Sequence, residues 1–239
     1  VAYAPGMVSP HITWEKVDNA NVGLDFTAFD YRLNLTFDAY QRTTRDMLGP
    51  AESIPLIGGI ADADRAKVNN AVLCNRGWEL SVNWSDILSC GFHYRAGFNL
   101  YDYKAVVTGY NNPEGLISNN HTGLSANKGY YEGMDIGEIW GYRADELFAS
   151  DAEAADYDKD LSFFKPQGQW KAGDLRYEDV DGDGAVNPGK GTLADHGDLT
   201  VIGNATPRFS FGVNLAAGYK GFELSALFQG VGKRDFPMA

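Results

Sequence analysis

Long hydrophobic runs are missing from this sequence, and no window approaches the roughly 18 apolar residues that a membrane-spanning helix needs. That absence excludes helical spans but leaves membrane barrels open, because barrel strands turn only every second residue toward lipid. Basic residues are also scarce, with 20 Lys and Arg against 32 Asp and Glu and a net charge of -12. A surface of this sign repels phosphate backbones, so we expect no nucleic-acid partner.

Cysteine and catalytic signatures are equally scarce. The two cysteines, Cys74 and Cys90, have neither zinc nor redox spacing, and we expect two unpaired thiols rather than a disulfide. The four histidines fall in no metal-ligand or triad spacing, and the sequence holds neither a nucleophile elbow nor a phosphate-binding glycine loop. We therefore predict a protein that is not an enzyme.

The ends of the sequence carry no recognisable targeting signal. The sequence begins at Val1 without a methionine or a charged leader and stops at Ala239 without an obvious terminal element. We expect the chain to be an excerpt of a larger protein.

Alternation of apolar and polar residues dominates the pattern that is present. The segment WELSVNW, residues 78–84, places Trp, Leu, Val and Trp on one side and Glu, Ser and Asn on the other. Further segments follow the same rule, beginning near Val22, Leu33, Phe92, Phe209 and Phe222. A period of two predicts two-faced β-strands, so we expect an all-β fold of antiparallel strands.

The connections between these predicted strands differ in length in a regular order. Short turns near Asp30, at 85–90 and at 218–221 alternate with long links over about 44–75 and 103–207. Outer-membrane barrels have short periplasmic turns at one rim and long extracellular loops at the other. The order therefore favours strands from a large transmembrane barrel with long extracellular loops, although a soluble β-sandwich with its apolar faces in a core is still compatible with the alternation.

In the barrel interpretation the two sides of each strand face lipid and lumen. We assign to lipid Leu33, Leu35, Phe37, Trp78, Leu80, Val82, Phe209, Phe211, Phe222 and Leu224. We assign to the lumen Asn34, Glu79, Asn83, Arg95, Asn99, Asn214, Glu223 and Gln229. Trp78, Trp84, Tyr101 and Tyr103 lie near the predicted strand ends, where aromatic girdles belong.

The stretch YEDVDGDG, residues 177–184, has the spacing of a calcium loop. Asp179, Asp181 and Asp183 match the first, third and fifth ligand positions of an EF-hand loop, and Gly184 matches its turn glycine. Further oxygens would come from the Ala185 carbonyl and Asn187, but Lys190 replaces the closing glutamate, so Asp195 or Asp198 must return to complete the shell. The alternative is a metal-free turn with Asx hydrogen bonds.

The residues that precede this loop are strongly acidic. The run from Asp145 to Asp160 contains a single basic residue, Lys159. A short helix is expected around Ala152 to Tyr157, with Ser150 or Asp151 as its N-cap.

Several phrases occur together in a recognisable order: NRGWELSVNW, IGEIWGYRADELFAS, GDLRYEDVDGDGAVN and DLTVIGNATPRFSFGVNL. Together they resemble the C-terminal part of SusC/RagA-type TonB-linked outer membrane proteins. The resemblance covers nearly the whole chain. In the family the aspartate phrase runs on with few extra residues to an Asp-x-Thr-x-Ile-Gly phrase, so Asp198 takes the position that closes the loop and residues 188–197 look like an insertion.

The resemblance implies a nutrient importer in the outer membrane of a Bacteroidetes-type bacterium. Its expected partners are a SusD-like surface lipoprotein, TonB, membrane lipid, and an oligosaccharide or peptide cargo. On this basis residues 1–239 would form a partial C-terminal barrel domain, without the plug and the TonB box, in which 103–207 is a long extracellular loop region.

We expect Ca²⁺ to bind in the loop between Asp179 and Asp198 and expect no other cofactor. Candidate substrate contacts are Trp140, Tyr142, Trp170, Arg95 and Asn99. A soluble calcium-binding β-sandwich module that binds glycans is the main alternative. A secreted hydrolase fragment is a weaker one, because no carboxylate pair for it is evident.

Overall fold

The computed structural model describes residues 11–49, 67–117, 130–165 and 169–236. These residues form two compact units, one containing the six long strands and the other containing the segment from Asn112 to Ala205. Parts of the predicted 1–239 domain and 103–207 loop region, such as 50–66 and 118–129, lie outside the described residues. Among the described residues, no helix is long and apolar enough to cross a membrane.

The described part of the chain contains ten strands and one short helix. In chain order the elements are β1 (Lys16–Ala28), β2 (Leu33–Gly49), β3 (Val68–Ile87), β4 (His93–Gly109), β5 (Glu138–Tyr142), β6 (Ala144–Leu147), α1 (Asp151–Asp156), β7 (Leu175–Tyr177), β8 (Leu199–Asn204), β9 (Arg208–Tyr219) and β10 (Phe222–Lys233).

The six long strands form one antiparallel sheet in the order β1, β2, β3, β4, β9, β10. The predicted all-β, antiparallel fold is therefore confirmed. A β-sandwich would divide these strands between two facing sheets, whereas here each strand pairs with the next in a single sheet. The chain enters this sheet, leaves it between β4 and β9 to form the second unit, and returns.

The strands β3 and β4 extend beyond the segments in which apolar and polar residues alternate. β3 has 20 residues and β4 has 17, and the ladder between them continues to Leu73 opposite Val107. The expected loop start at Tyr103 is therefore wrong, because β4 continues to Gly109. Backbone pairing with β3 holds these residues in the sheet after the alternation of their side chains has ended.

The strand register separates the sheet into two chemically different faces. Rows of paired residues on one face are apolar, such as the row Leu35, Val82, Phe98, Val213 and Phe228. The adjacent row on the other face reads Asn34, Asn83, Gly97, Asn214 and Leu227. All the residues assigned to lipid share the first face, and all those assigned to the lumen share the second.

On the polar face, side chains lie across glycines of the next strand. A Cβ atom added to Gly97 would lie 2.7 Å from Oδ1 of Asn83, and one added to Gly212 would meet Oδ1 of Asn99. Glycine at these positions leaves room for the amide groups to lie flat against the sheet.

Aromatic residues mark both ends of the apolar face. At the short-turn end, Trp84 Nε1 donates a hydrogen bond of 3.2 Å to the Tyr94 hydroxyl. At the long-loop end, Trp78 stacks on Phe37 with ring centroids 6.4 Å apart. These two tryptophans occupy girdle positions.

The expected girdle role of Tyr101 and Tyr103 is wrong. Tyr101 pairs with Glu79 and Tyr103 with Gly77, which places both rings on the polar face. The physical reason is the two-residue period of the strand, since both residues are odd-numbered in β4 and lie on the same side as Asn99.

Both cysteines are free thiols, as expected. Cys74 is buried in β3, and Cys90 is exposed in the turn between β3 and β4.

The face assignment predicts the outcome of paired substitutions in the complete protein. Leu35→Arg places a cation on the apolar face and should cost about 2 to 4 kcal/mol of folding free energy in lipid. Asn34→Arg, the matched control one residue earlier, points to the opposite face and should be mild. Equal losses in a denaturant titration of the protein folded into lipid vesicles would contradict the assignment.

Candidate functional site

The second unit has its own small core between the short strands. Phe148, Ala154, Leu161 and Val186 are buried together. Partly buried aromatic residues surround them, namely Tyr142, Tyr157, Phe164, Trp170 and Tyr177. Because Val186 follows the aspartate loop directly in the chain, this core anchors the loop.

Two of the predicted substrate contacts are part of this aromatic cluster. Tyr142 meets Phe164 edge to face at 4.8 Å, and Trp170 meets Phe148 at 6.3 Å. Lys165 Nζ lies 4.5 Å from the centre of the Trp170 ring. Burial and the carboxylate of Asp198 raise the pKa of Tyr142. The packing of these rings stabilises the unit, and they are not arranged as an open stacking platform.

The acidic run forms specific contacts with Arg176 on β7. Its guanidinium donates to both carboxylate oxygens of Asp145, at 3.0 and 2.7 Å, and to Glu153 Oε1 at 2.9 Å. The predicted helix is confirmed as α1, with Ser150 as the N-cap whose Oγ accepts from the Glu153 N–H at 3.1 Å. The Glu153 carboxylate also accepts the N–H of Ala149, the residue before the N-cap, and so satisfies a second backbone donor at the start of the helix.

Asx hydrogen bonds shape the aspartate loop. Asp179 accepts the N–H groups of Gly182 and Gly184 at 2.7 and 3.0 Å. Asp181 accepts the Asp183 N–H at 3.1 Å, and Asp183 accepts the Ala185 N–H at 2.7 Å. Gly182 and Gly184 have φ values of 78° and 91°, a region that L-residues rarely enter.

Asp198 joins the two ends of this loop. Its carboxylate is fully buried and accepts the Val180 N–H at 2.6 Å on one oxygen and the Asn187 N–H at 2.8 Å on the other. The Asp198 N–H in turn donates to the Asn187 carbonyl at 2.9 Å. The Asp198 side chain therefore accepts two backbone N–H groups that would otherwise need backbone carbonyl acceptors.

The segment predicted to be an insertion folds into a closed turn at this point. Gly189 and Gly197 approach each other so closely that a Cβ on Gly189 would lie 2.7 Å from the Gly197 nitrogen. Lys190 pairs with Asp195 at 2.9 Å. The turn thereby returns the chain to Asn187, which explains how Asp198 reaches the loop and why Asp195 does not.

Three carboxylates meet in the loop. Asp179, Asp181 and Asp198 each have a carboxylate oxygen within 4.8 Å of the others. The remaining predicted ligands are used differently, since Asp183 is exposed and lies outside this group. The Ala185 carbonyl accepts a bond of 3.4 Å from the Asn187 side chain, whose Oδ1 accepts the Gly189 N–H at 2.7 Å.

Sequence reasoning missed one cation at this site. Lys159 Nζ lies 3.1 Å from Asp179 Oδ2. Burial opposes ionisation of Asp179, but Lys159 and the N–H groups of Gly182 and Gly184 outweigh it and hold the pKa of Asp179 below its ordinary value. The signal for Lys159 was its place as the single basic residue of the acidic run.

The other predicted substrate contacts are dispersed. Trp140 lies on β5 with its ring 5.8 Å from that of His196. Arg95 and Asn99 lie on the polar face of β4, and Arg95 lines an open cleft of about 900 Å³ near the short turns, together with Arg32, His93 and Glu223. The structure thus places Arg95 and Asn99 on one surface, and Tyr142 and Trp170 in a packed core.

The role of Asp198 predicts a local loss of order after its removal. Asp198→Ala leaves the Val180 and Asn187 N–H groups without acceptors, at a cost of about 1 to 3 kcal/mol each. Hydrogen exchange of the intact protein should then speed up at these two amides. Asp183→Ala, which removes an exposed carboxylate from the same loop, is the matched control and should leave them protected. Equal exchange in both variants would contradict the role of Asp198.

Comparison with known proteins places the chain in a family. The model of the TonB dependent receptor-like β-barrel matches residues 2–229. Among curated relatives in Formosa agariphila, TonB-dependent receptor P3 is 26% identical over 222 residues, which cover 92% of this chain and 20% of the relative. TonB-dependent receptor P39 is 28% identical over an alignment that covers 90% of this chain and 22% of the relative.

Solved structures agree with the fold. The RagAB peptide transporter matches with a TM-score of 0.59 and 22% identity over 92% of this chain and 21% of that chain. The RagAB peptide importer in its open-open state matches with a TM-score of 0.63 and 22% identity over 93% of this chain and 21% of that chain. The chain thus spans about a fifth of the length of these relatives, and it belongs to the TonB-dependent receptor-like β-barrel family of outer-membrane proteins.

Proposed function

We propose that this chain is part of a TonB-dependent transporter that imports nutrients through the outer membrane of a Bacteroidetes-type bacterium. The observation that carries the proposal is the family match over residues 2–229 on a single sheet with one apolar and one polar face. An apolar face suits lipid and a polar face suits a wet lumen. The family is one of receptors and transporters, so we assign no catalytic step to the chain.

The proposed cargo is an oligosaccharide or a peptide, delivered with the help of a SusD-like surface lipoprotein and released by energy from TonB. RagAB, whose structures resemble this fold, is a peptide transporter, and the polar face of this sheet offers groups that suit either class. Asn99 presents an amide and Arg95 a guanidinium on that face, and both bind carbonyl or hydroxyl oxygens. These two side chains are our proposed cargo contacts within this chain.

Gene deletion tests the proposed import. A strain without the complete protein should lose growth on one class of glycan or peptide, and loss of TonB should produce the same defect. Restoring the intact gene should restore growth. Unchanged growth and uptake on every cargo of both classes, in a strain shown to lack the protein, would contradict import.

Two neighbouring substitutions in the restored gene test which face meets cargo. Asn99→Trp fills space on the polar face and should lower uptake while the protein still reaches the membrane. Phe98→Trp adds a similar ring to the apolar face and should leave uptake unchanged. Uptake is measured together with the amount of each variant in the outer membrane. A greater loss of uptake in Phe98→Trp than in Asn99→Trp would contradict the lumen assignment.

We further propose that the aspartate loop binds Ca²⁺. The donor set supports this, because calcium prefers carboxylate and carbonyl oxygens and three carboxylates converge within 4.8 Å. Asp179, Asp181 and Asp198 would hold the ion, whose charge would offset their mutual repulsion. Lys159 already supplies one positive charge to Asp179, so the ion and the ammonium group compete for that carboxylate.

Chelation tests the calcium proposal in the intact protein. Removing calcium should lower the melting temperature, because an ion that binds only the folded state stabilises it. Asp181→Ala should abolish this response, whereas Asp183→Ala, which lies outside the three-carboxylate group, should retain it. A melting curve that does not respond to the chelator would identify the loop as a metal-free Asx turn.

A further inference from the structure

Three tyrosines lie close together on the polar face of the sheet, at its long-loop end. Tyr40 and Tyr103 oppose Gly77 from the two neighbouring strands. Tyr101 precedes Tyr103 by two residues on β4, so it occupies the adjacent row of the same face. Because Asn99 is the next residue of β4 on this face, the tyrosines continue the surface of the proposed cargo contacts toward the long loops.

The rings of these tyrosines are not packed into a core. A Cβ atom added to Gly77 would lie 2.5 Å from the Tyr40 hydroxyl oxygen and 2.6 Å from its Cζ, so the far end of this ring lies over the Gly77 backbone. Tyr101 is 45% exposed, and Tyr40 and Tyr103 are half-buried. Within the described residues, no other aromatic ring contacts these three rings, and no group forms a hydrogen bond with their hydroxyls. Unlike the packed rings of the second unit, they are available to a ligand.

Charged groups of both signs surround the tyrosines. Glu79 lies between Asp38 and Tyr101 in one row of the polar face, and Arg42 follows Tyr40 by two residues on the same face. In the part of the chain that the structure describes, no residue forms a hydrogen bond or an ion pair with the side chain of Asp38, Glu79 or Arg42. The surface therefore offers two carboxylate acceptors and one guanidinium donor that have no protein partners.

We propose that Tyr40, Tyr101 and Tyr103 form a binding surface for a neutral oligosaccharide. The proposal rests on the proposed import function and specifies the class of its cargo. The apolar face of a sugar ring suits an aromatic side chain, and each sugar hydroxyl both donates and accepts hydrogen bonds.

The charges beside the tyrosines favour an uncharged ligand. A cationic peptide would meet the carboxylates of Asp38 and Glu79 but would be repelled by Arg42, and an acidic peptide would meet the reverse. Hydroxyl groups can donate to the carboxylates and accept from the guanidinium at the same time. A neutral oligosaccharide therefore satisfies groups of both signs without bringing a like charge close to either.

The surface is tested with the complete protein in neutral detergent micelles. The probes are glucan, fructan, mannan and xylan oligosaccharides of six units, and a tryptic digest of casein supplies peptides. Binding is read from the rise in melting temperature as each probe is titrated. At least one oligosaccharide should bind.

Tyr101→Leu with Tyr103→Leu removes two of the rings and should weaken that binding about tenfold or more, because tyrosines at the centre of a binding surface are worth at least that factor. Tyr101→Phe with Tyr103→Phe retains the rings and should bind more tightly than the leucine variant. The matched control is Tyr219→Leu with Phe222→Leu. It removes two opposed rings from the apolar face and should leave oligosaccharide binding unchanged.

Equal oligosaccharide binding by the leucine variant of Tyr101 and Tyr103 and by the unaltered protein would overturn the proposal. Failure of every oligosaccharide to bind the unaltered protein, with or without binding of peptides, would overturn it as well, and this comparison decides the outcome if the leucine variant does not fold. A deletion strain that loses growth on peptides alone would contradict the oligosaccharide surface and leave import intact. Ring-dependent oligosaccharide binding by a protein whose deletion changes no growth or uptake would contradict import and leave the surface intact.

Discussion

The hydrogen-bond ladder that joins β1, β2, β3, β4, β9 and β10 into one sheet is the constraint on which the rest of the structure depends. Hydrocarbon offers no water to a backbone N–H or C=O group, so each one must be paired within the protein. Once the ladder fixes the register, the two-residue period decides which side chains meet lipid. A shift of a single residue between β2 and β3 would move Leu35 and Phe37 to the polar face. The apolar face and the girdle tryptophans therefore follow from one register.

Outside the large sheet, side chains rather than neighbouring strands accept hydrogen bonds from several backbone N–H groups. Asp198 and Asp179 each accept two N–H groups of the aspartate loop at 3.0 Å or less, and Ser150 accepts one at the start of α1. Buried carboxylates need compensation for their charge. Backbone N–H groups and Lys159 supply it here, and a calcium ion would supply more. Asp179 and Asp198 thus accept backbone hydrogen bonds that hold the loop in shape, whether or not the ion binds.

The strands and their faces were predictable from the sequence because alternation is a local signal that each strand carries by itself. Strand ends were less predictable, as β4 shows by continuing past Tyr103 through pairing alone. In the aspartate loop, too, some contacts were predictable from the sequence and others were not. Asp179 and Asp181 follow from spacing, whereas Lys159 reaches the loop through folding of the intervening chain. Tyr142 and Trp170 were candidate substrate contacts because sequence alone does not distinguish an exposed ring from one packed in an aromatic core.

The two edges of the sheet show why this chain requires further strands. Side chains on the apolar face are most exposed at the edges, with Leu24 of β1 at 60% and Leu224 of β10 at 75%, whereas Leu80 and Val82 of β3 are only partly exposed. The backbone groups along the outer sides of β1 and β10 would also face hydrocarbon unpaired, which lipid does not tolerate. Because the chain covers about a fifth of its relatives, the neighbouring strands of a complete barrel are the partners that satisfy both requirements. Closure of that barrel would therefore stabilise β1 and β10 more than β3.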